Sequence, residues 1–333
     1  MPSSLRFARD IPGGGLLFDD LMNFPRVSVL IPCYNAEKYV GETLESVFRQ
    51  TWPELEVIVV DDGSTDGSAD VVRSFARPNL RLIQQPNRGQ TAALNVCCSH
   101  TTGDFVQYLD ADDLIEPDKI ALQIERLQDA PLCIASSEWG RFYRTPEETQ
   151  FREDAVWRDL SPIDWLTLSR FGMMFPALWL IPMATVRAIG PWNEDLSLAN
   201  DAEYFTRAVL ASERVLFCRG ARCHYRSGIL GSLSGSRTPR HFASQFKVTE
   251  LCESYVRAVE DSERVRRCFA VTWQQMAHFA YPYDKAVATR ALERAEGLHP
   301  IRTRPGGGLR FRAMSRIIGW RAARVLQVRS GRP

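Results

Sequence analysis

Short apolar runs alternate with amphipathic stretches through the first part of the chain. The apolar runs are rich in Val, Ile and Leu and predict buried strands at 27–31, 55–60, 80–84, 105–109 and 132–135. The stretches between them place apolar residues three or four positions apart. This spacing predicts helices over 36–50, 64–75 and 91–100, and a further helix that opens at Pro117.

This alternation of strands and helices predicts a Rossmann-like α/β fold, in which a mostly parallel sheet is flanked by helices. Crossover connections between parallel strands are right-handed, so the C-terminal ends of these strands meet at one edge of the sheet. Ligands of open α/β sheets bind at that edge. Polar residues that directly follow the strands are therefore expected to share one crevice.

The pattern weakens over 138–171, where three tryptophans stand among charged residues. We interpret this stretch as an insertion over the sheet, where an acceptor molecule could lie. The pattern then predicts strands at 177–181 and 215–218, helices at 183–189 and 200–210, and a Gly/Ser-rich loop at 227–236. From there on only helical patterns remain, over 241–259, 261–280, 284–297 and 309–328.

Composition indicates a folded protein, with 45% apolar and 24% charged residues. The net charge of +1 is uneven, because residues 302–332 contain nine arginines and no acidic residue, which leaves −8 on the remainder. Such a tail favours an anionic partner, or is the solvated basic face of a helix. One apolar stripe runs between its arginines, formed by Phe311, Met314, Ile318, Ala322 and Val325.

This stripe is open to two interpretations. It could make a peripheral contact with an anionic membrane, or it could pack against the body of the protein. No run of about 18 apolar residues predicts a membrane span, and residues 1–25 lack the apolar core of a signal peptide. We expect these 25 residues to be a poorly ordered leader, and the protein to be cytoplasmic, with any membrane contact at the inner face.

Several classes of site are absent from the sequence. The eight cysteines include no CxxC pair, so they are expected to be small core residues and not zinc ligands. Neither a GxGxxG motif nor a P-loop lysine is present, which argues against a dehydrogenase or a kinase. We expect no nucleic-acid partner.

Paired aspartates follow two of the predicted strands. Asp61 and Asp62 end the second strand, and Asp110 and Asp112 follow the fourth. Carboxylates two positions apart can both reach one Mg²⁺ or Mn²⁺, or one metal and one ribose hydroxyl, because hard cations bind oxygen ligands. A metal held there could bridge the phosphates of a nucleotide diphosphate. Aspartates after strands are also common turn formers and helix caps, so both interpretations stay open.

Three more polar residues are candidates for the same crevice. Asp201, preceded by Asn200, lies at the start of a predicted helix, where an aspartate is usually a favourable cap but could also act as a general base. His224 and Arg226 follow the strand predicted at 215–218. His224 could be a third metal ligand or a structural histidine, and Arg226 could contact a phosphate.

Several of these segments, in this order, resemble the family 2 glycosyltransferases, which have the GT-A fold. Val27-Ser-Val-Leu-Ile-Pro32-Cys-Tyr34-Asn35 resembles their opening nucleotide-binding strand, and Val59-Val60-Asp61-Asp62-Gly63-Ser64 resembles their uracil-site motif. Asn87-Arg88-Gly89, followed by Asn95, is similar to the stretch that passes the base and ribose. Tyr108-Leu109-Asp110-Ala111-Asp112-Asp113 looks like the metal motif. Gly190-Pro-Trp-Asn-Glu with Asn200-Asp201 resembles the acceptor-site helix.

The resemblance covers about residues 26–236 and implies inverting, metal-dependent transfer from a nucleotide-diphosphate sugar, which we expect to be UDP-linked. It assigns Asp61 and Asp62 to the base, Asp110 and Asp112 to ribose and metal, and Asp201 to deprotonation of the acceptor. The other donor contacts it implies are Pro32, Tyr34, Asn35, Asn87, Arg88, Gly89 and Asn95. Many members have Glu-Asp where this chain has Asn200-Asp201.

The processive synthases of the family carry a Gln-x-x-Arg-Trp motif, which this chain lacks. We therefore expect one sugar to be added per encounter, to a saccharide or lipid-linked acceptor, in polysaccharide, glycolipid or cell-surface glycan synthesis. The expected organisation is a GT-A catalytic domain over 26–237 and a helical C-terminal region with a basic tail over 238–333.

Two other functional classes remain open. One is a non-catalytic sugar-nucleotide-binding protein, in which Asp201 would be idle. The other is a nucleotidyltransferase, which would release pyrophosphate. Nucleotidyltransferases usually carry a Gly-rich loop with Arg and Lys after the first strand, and Pro32-Cys-Tyr-Asn35 is unlike such a loop.

Overall fold

The computed structural model describes residues 24–170, 174–229, 237–300 and 308–330. Its larger sheet has the strand order β3-β2-β1-β4-β8. These strands are β1 Val27–Cys33, β2 Leu55–Asp61, β3 Leu80–Gln84, β4 Phe105–Tyr108 and β8 Ile181–Pro182. The first four pair in parallel and β8 pairs antiparallel to β4. The predicted mostly parallel sheet is confirmed, and its strand ends place both aspartate pairs at one edge.

Helices α1 Val40–Phe48, α2 Ser68–Ser74, α3 Gln90–Ser99 and α4 Lys119–Leu127 connect these elements. Each covers most of a predicted helix. The helix predicted from residue 64 begins later, at Ser68, because the hydroxyl of Ser64 accepts a hydrogen bond from the backbone amide of Asn35 over 2.9 Å and does not cap α2.

A second sheet has the order β5-β9-β6-β7. Its strands are β5 Leu114–Ile115, β6 Ile134–Phe142, β7 Gln150–Phe151 and β9 Val215–Arg226. The strand predicted at 132–135 therefore extends to Phe142 and belongs to this sheet, so 138–171 is only partly an insertion. It also contains α5, Pro162–Ser169. The long β6 runs parallel to β9. The last residue of β9, Arg226, contacts the turn after β4.

The strand predicted at 177–181 is confirmed only at its end, where Leu180 bridges to Ala135 and Ile181 begins β8. Pro176–Leu178 form a 3₁₀ turn, and only Ile181–Pro182 pair with β4. The apolar run reflects complete burial, since Ala177, Leu178 and Trp179 are at most 3% exposed. Helices α6 Met183–Ile189 and α7 Asn200–Leu210 match their predictions.

The C-terminal part is helical, as predicted. Helices α8 Pro239–Val259, α9 Glu263–Ala280 and α10 Lys285–Leu298 pack together, and α8 also packs against α7. The helix predicted at 309–328 is two helices, α11 Leu309–Ile318 and α12 Trp320–Arg329. They are separated by Gly319, whose φ of +79° favours glycine and interrupts the helix.

All eight cysteines are free thiols. No helix among the described residues is both long and apolar enough to cross a membrane. Residues 1–23 of the expected leader, and residues 230–236 of the expected loop, lie outside the described part of the chain.

Candidate active site

The turn after β4 carries three aspartates at the edge of the sheet. Asp110 and Asp112 are partly exposed, whereas Asp113 is fully buried. The backbone amide of Asp113 closes the turn by donating to the Asp110 carbonyl over 3.2 Å. Arg226, at the end of β9, holds the turn from the other side. Its backbone amide donates to Oδ1 of Asp113 and its Nε donates to the carbonyl of Asp112, each over 2.9 Å.

The electrostatics of this turn favour a bound cation. Burial raises the pKa of Asp110, and the carboxylates of Asp112 and Asp201 raise it further. Burial, and then the same neighbours Asp112 and Asp110, raise the pKa of Asp113, whose Oδ2 has no hydrogen-bond partner. Burial raises the pKa of Asp112 too, although the Arg226 guanidinium opposes this. Besides burial, the raised pKa values of Asp110 and Asp113 reflect repulsion between neighbouring carboxylates, which a bound divalent cation would relieve.

Mg²⁺ or Mn²⁺ fits these residues if the substrate supplies the remaining ligands. Among the described residues, no group of three or more His, Cys, Asp or Glu side chains is arranged to hold a metal ion by itself. Magnesium is commonly bound by one or two carboxylates together with substrate phosphates and water. Asp110 and Asp112 match that donor set, and the repulsion between the carboxylates around them would be relieved by a divalent cation.

Gln90, the first residue of α3, joins the acidic turn to the helix that carries Asp201. Its side-chain amide donates to Oδ1 of Asp110 over 2.9 Å, and its amide oxygen accepts from the Asn200 side chain over 3.3 Å. Asn200 is the first residue of α7, so Asp201 lies beside the same turn. The sequence analysis missed Gln90. Its one signal is its position at a helix start directly after the predicted donor residue Gly89.

Asp62 anchors the loop that leads to Gln90. Its Oδ1 accepts from the side chain of Gln85 over 2.7 Å and from the backbone amide of Arg88 over 2.9 Å. Its Oδ2 accepts from the amide of Gly89 over 2.8 Å. Asp62, Gly89 and Gln90 thus form a continuous connection from the end of β2 to the acidic turn.

The predicted donor residues at the end of β1 lie beside Asp61. Oδ1 of Asp61 accepts from the backbone amide of Ser64 over 3.1 Å, and the hydroxyl of Ser64 accepts from the amide of Asn35. Asn35 has a left-handed φ of +50°, which turns the chain away from β1. Pro32 is buried within β1, whereas Tyr34 is 52% exposed and free to meet a ligand.

Asn87 and Arg88 lie on the far side of this loop. Gly63 has a φ of +74°, and a Cβ there would stand 2.7 Å from the amide nitrogen of Asn87, so a larger residue would displace the loop. Nη2 of Arg88 donates to Oε2 of Glu194 over 3.1 Å. Arg88 therefore connects the predicted nucleotide side to the segment before α7.

Asn95, on α3, also connects the predicted nucleotide side to the segment before α7, through three hydrogen bonds. Its side-chain nitrogen donates to the carbonyl of Trp192 over 3.0 Å and to Glu194 over 2.9 Å. Its side-chain oxygen accepts from the amide of Trp192 over 2.8 Å. In this structure Asn95 thus fixes the 192–194 segment, and its predicted contact with the donor stays a prediction.

Asp201 is held at the start of α7 by a packed aromatic group. The ring of Tyr204 stacks on Trp192 with centroids 3.9 Å apart, and its hydroxyl lies 2.6 Å from that of Tyr108 in β4. Burial raises the pKa of Asp201 to about 6. Asp201 does not cap α7, since Ala199 occupies the N-cap position. A carboxylate of raised basicity beside the acidic turn suits a general base.

The prediction of His224 as a metal ligand does not fit the structure. Nδ1 of His224 lies 2.8 Å from the hydroxyl of Thr149, and Nε2 lies 3.6 Å from Glu116. Its ring also packs edge-on against Phe142 and Phe151. Nδ1 therefore has a hydrogen-bond partner beside β7, and His224 sits inside β9 and not beyond its end. The structural alternative is the one that fits.

Arg226 is enclosed at the border of the acidic turn. Its guanidinium lies 4.5 Å from the ring centroid of Phe142 and 5.1 Å from that of Tyr39. Nη2 donates to Glu42 over 2.6 Å. Only 8% of the residue is exposed, and its charge stabilises the carboxylates of both Glu42 and Asp112.

A separate cavity opens between β6 and α5. Its volume is about 440 Å³, counting the part that is open to solvent. Three tryptophans line it, together with polar groups of Ser136, Ser137 and Asp154; the tryptophans are Trp139, Trp157 and Trp165. These tryptophans are the ones that the sequence placed in the segment over the sheet.

Ring contacts connect this cavity to the acidic turn. Trp139 packs against Phe175 with centroids 5.8 Å apart, and Phe175 packs against Tyr225 at 5.1 Å. Tyr225 directly precedes Arg226, which holds the turn.

Residues 28–185 match the model of glycosyl transferase family 2. The chain is similar to this family over that segment. Among its relatives, the glycosyltransferase GlyA of Streptococcus pneumoniae is 33% identical over 129 residues, which cover 38% of this chain and 18% of GlyA. The chain spans less than half the length of the curated family relatives that it matches first.

Solved structures agree with the fold. S. aureus TarS 1–349, in complex with UDP, superposes with a TM-score of 0.65 at 20% identity and covers 92% of each chain. The mannosyltransferase PcManGT from Pyrobaculum calidifontis, in complex with GDP-Man and Mn²⁺, superposes with a TM-score of 0.55 at 22% identity, over 92% of this chain and 85% of the other. The GT-A fold expected from the sequence is confirmed.

Proposed function

We propose that this chain is a family 2 glycosyltransferase, which transfers one sugar from a nucleotide-diphosphate donor, UDP-linked, to a hydroxyl acceptor with inversion at the sugar carbon. The observation that carries the proposal is the pair of contacts made by Gln90, which set Asp110 and the start of α7 side by side. A donor-binding turn and a basic carboxylate at one cleft are what such a transfer needs.

In this proposal one group of residues binds the nucleotide, and Asp201 acts on the acceptor. The loop held by Asp62 and the exposed ring of Tyr34 bind the nucleotide. Asp201 takes the proton from the acceptor hydroxyl as that oxygen attacks the sugar carbon from the face opposite the diphosphate. Because burial raises the pKa of Asp201 to about 6, its carboxylate is both ionised at neutral pH and more basic than an exposed aspartate.

Asp110 and Asp112 would hold a divalent cation together with the donor phosphates. When bound, the cation supplies positive charge at the departing diphosphate. The Mn²⁺ and GDP-Man found with PcManGT support this part of the proposal. Arg226 keeps the turn in place, since it binds the backbone of Asp112 and the carboxylate of Asp113.

We further assign acceptor binding to the tryptophan-lined cavity. Flat apolar rings with nearby hydroxyl and carboxylate groups suit a sugar ring, whose faces are apolar and whose edges carry hydroxyls. The acceptor would then be a saccharide, free or lipid-linked, in polysaccharide, glycolipid or cell-surface glycan synthesis. Residues 26–237 would form the catalytic domain and 238–333 its helical extension.

A UDP-release assay with a panel of nucleotide sugars, Mn²⁺ and mixed saccharide acceptors tests the function directly. Acceptor-dependent release of UDP is the expected result. A chain that binds UDP-sugars yet never releases UDP would be the non-catalytic binding protein, and release of pyrophosphate would indicate a nucleotidyltransferase.

A further inference from the structure

Helices α11 and α12 have an inner side that packs on the protein. Phe311 is 6% exposed and Ala323 is fully buried. The Trp320 ring lies 4.5 Å from the ring of His278 and 5.4 Å from that of Tyr281, both at the end of α9. The predicted tail stripe is therefore partly an inward-facing surface, because Phe311 belongs to it.

The outer side exposes a different apolar stripe. Leu309, Ala313 and Ile317 are spaced four residues apart on α11 and share one face. Leu309 is 82% exposed and Ile317 is 83% exposed, more than any other large hydrophobic residue of the described chain. On α12, Leu326 is also exposed, at 48%.

Arginines surround this stripe. Residues 308–330 contain six arginines and no acidic residue. Five of the six are exposed, and within the described part of the chain none of these five forms an ion pair; they are Arg310, Arg312, Arg316, Arg321 and Arg329. Arg312 and Arg316 directly precede Ala313 and Ile317, so the charges stand beside the apolar stripe.

We propose that this outer face of α11 and α12 binds an anionic lipid bilayer. Leu309 and Ile317 would enter the boundary between headgroups and acyl chains, and the flanking arginines would meet lipid phosphates. Helices that lie in a membrane interface combine exposed aliphatic residues with basic ones in this way. The proposal goes beyond sugar transfer and does not depend on it.

The charges and the apolar residues together favour a bilayer over other occupants. A second copy of the chain would bring five unpaired arginines against five more, and this repulsion opposes self-association through the face. A nucleic acid would bind the arginines but would leave two aliphatic side chains, each over 80% exposed, without an apolar partner. An anionic lipid surface offers partners to both sets, because lipid phosphates meet the arginines and acyl chains meet the aliphatic side chains.

Flotation of the full chain with vesicles tests the proposal. One set is phosphatidylcholine alone, and the other contains about one third phosphatidylglycerol. We expect binding to the anionic set only. Replacing Arg312→Gln and Arg316→Gln should weaken that binding roughly 30-fold, since each basic residue near the surface contributes about a factor of five. Leu309→Ser with Ile317→Ser should weaken it roughly tenfold or more.

Matched controls separate the face from general surface effects. Arg187→Gln with Arg214→Gln removes two exposed charges elsewhere, and Val259→Ser removes a side chain that is 65% exposed at the end of α8. Both should bind like the unchanged chain. The proposal is overturned by absent binding, by equal binding to both vesicle sets, or by equal loss in the controls. It is also overturned if single-stranded RNA binds the chain and competes with vesicles, while the variant with Leu309→Ser and Ile317→Ser keeps its full affinity for vesicles.

Discussion

The side-chain amide of Gln90 donates a 2.9 Å hydrogen bond to the carboxylate of Asp110. This bond restrains one expected cation ligand, and the opposite end of the same side chain accepts from Asn200 beside the expected base. Gln90 therefore positions two elements that perform different parts of the proposed reaction.

Gln90→Ala should weaken binding of Mn²⁺ with UDP without abolishing it. Loss of a residue that orients a metal ligand typically costs 10–100-fold in affinity. Titration calorimetry of UDP with and without Mn²⁺ measures this effect. Gln90→Glu, which places a further negative charge against Asp110, should be at least as damaging to donor binding. An alanine variant with unchanged affinity would contradict the positioning role.

Asp112→Asn should remove metal-dependent transfer. A lost charge at a site that stabilises a departing diphosphate costs on the order of 100-fold or more in rate. The UDP-release assay over a range of Mn²⁺ concentrations measures it. Asp118→Asn is the matched control, because Asp118 is exposed nearby at the start of α4 and caps it with no side-chain bond. Near-normal turnover by the Asp112 variant would make the metal assignment wrong.

Asp201→Asn should lose transfer while UDP binding is kept. The amide cannot take the acceptor proton, and removal of a general base costs roughly 100- to 10,000-fold in rate. The two quantities to compare are kcat for transfer and the Kd for UDP with Mn²⁺. If both fell together, Asp201 would belong to donor binding and the assignment as base would fail.

The pH dependence of transfer should follow Asp201. Its pKa is raised to about 6 by burial, and only the ionised carboxylate accepts a proton. Activity at low substrate should therefore rise with pH through the region near 6 and level off above it. The affinity for the donor, measured over the same range, provides the control. A transfer rate that stays constant from pH 5 to 8 would count against the base.

His278 should make the protein sensitive to acid. Burial, with a smaller contribution from Arg324, lowers its pKa from 6.5 to about 4. The unfolded chain therefore binds more protons than the folded one between these values, so the free energy of unfolding falls as pH decreases from 6.5 towards 4. His278→Phe keeps a ring beside Trp320 and should reduce that loss. Urea midpoints at pH 7 and pH 5, compared for both proteins, measure the difference.

The strands and their terminal aspartates were predictable because both signals are local. A buried parallel strand is a continuous apolar run, and Asp61 and Asp110 directly follow such runs. Because crossovers between parallel strands are right-handed, the C-terminal ends of these strands lie at one edge of the sheet. The shared crevice could therefore be predicted without knowing any side-chain contact.

The contacts that complete the site were not predictable, because they join distant segments through side chains. Gln90 looks like an ordinary residue at a helix start, and the resemblance that singled out Asn95 gave no indication of its contact with Trp192. The long pairing of β6 with β9 was also missed, since much of it contains charged residues whose partners lie across the sheet. The prediction of a single tail helix over 309–328 was wrong because Gly319 interrupts it and divides the expected apolar stripe between two helices.

The double attachment of Asn95 to Trp192 has a mechanical consequence. Because three hydrogen bonds tie α3 to the segment before α7, any displacement of α3 by a bound nucleotide would also move the segment that leads to Asp201. Binding of the donor and placement of the proposed base would then be coupled through the side-chain amide of Asn95.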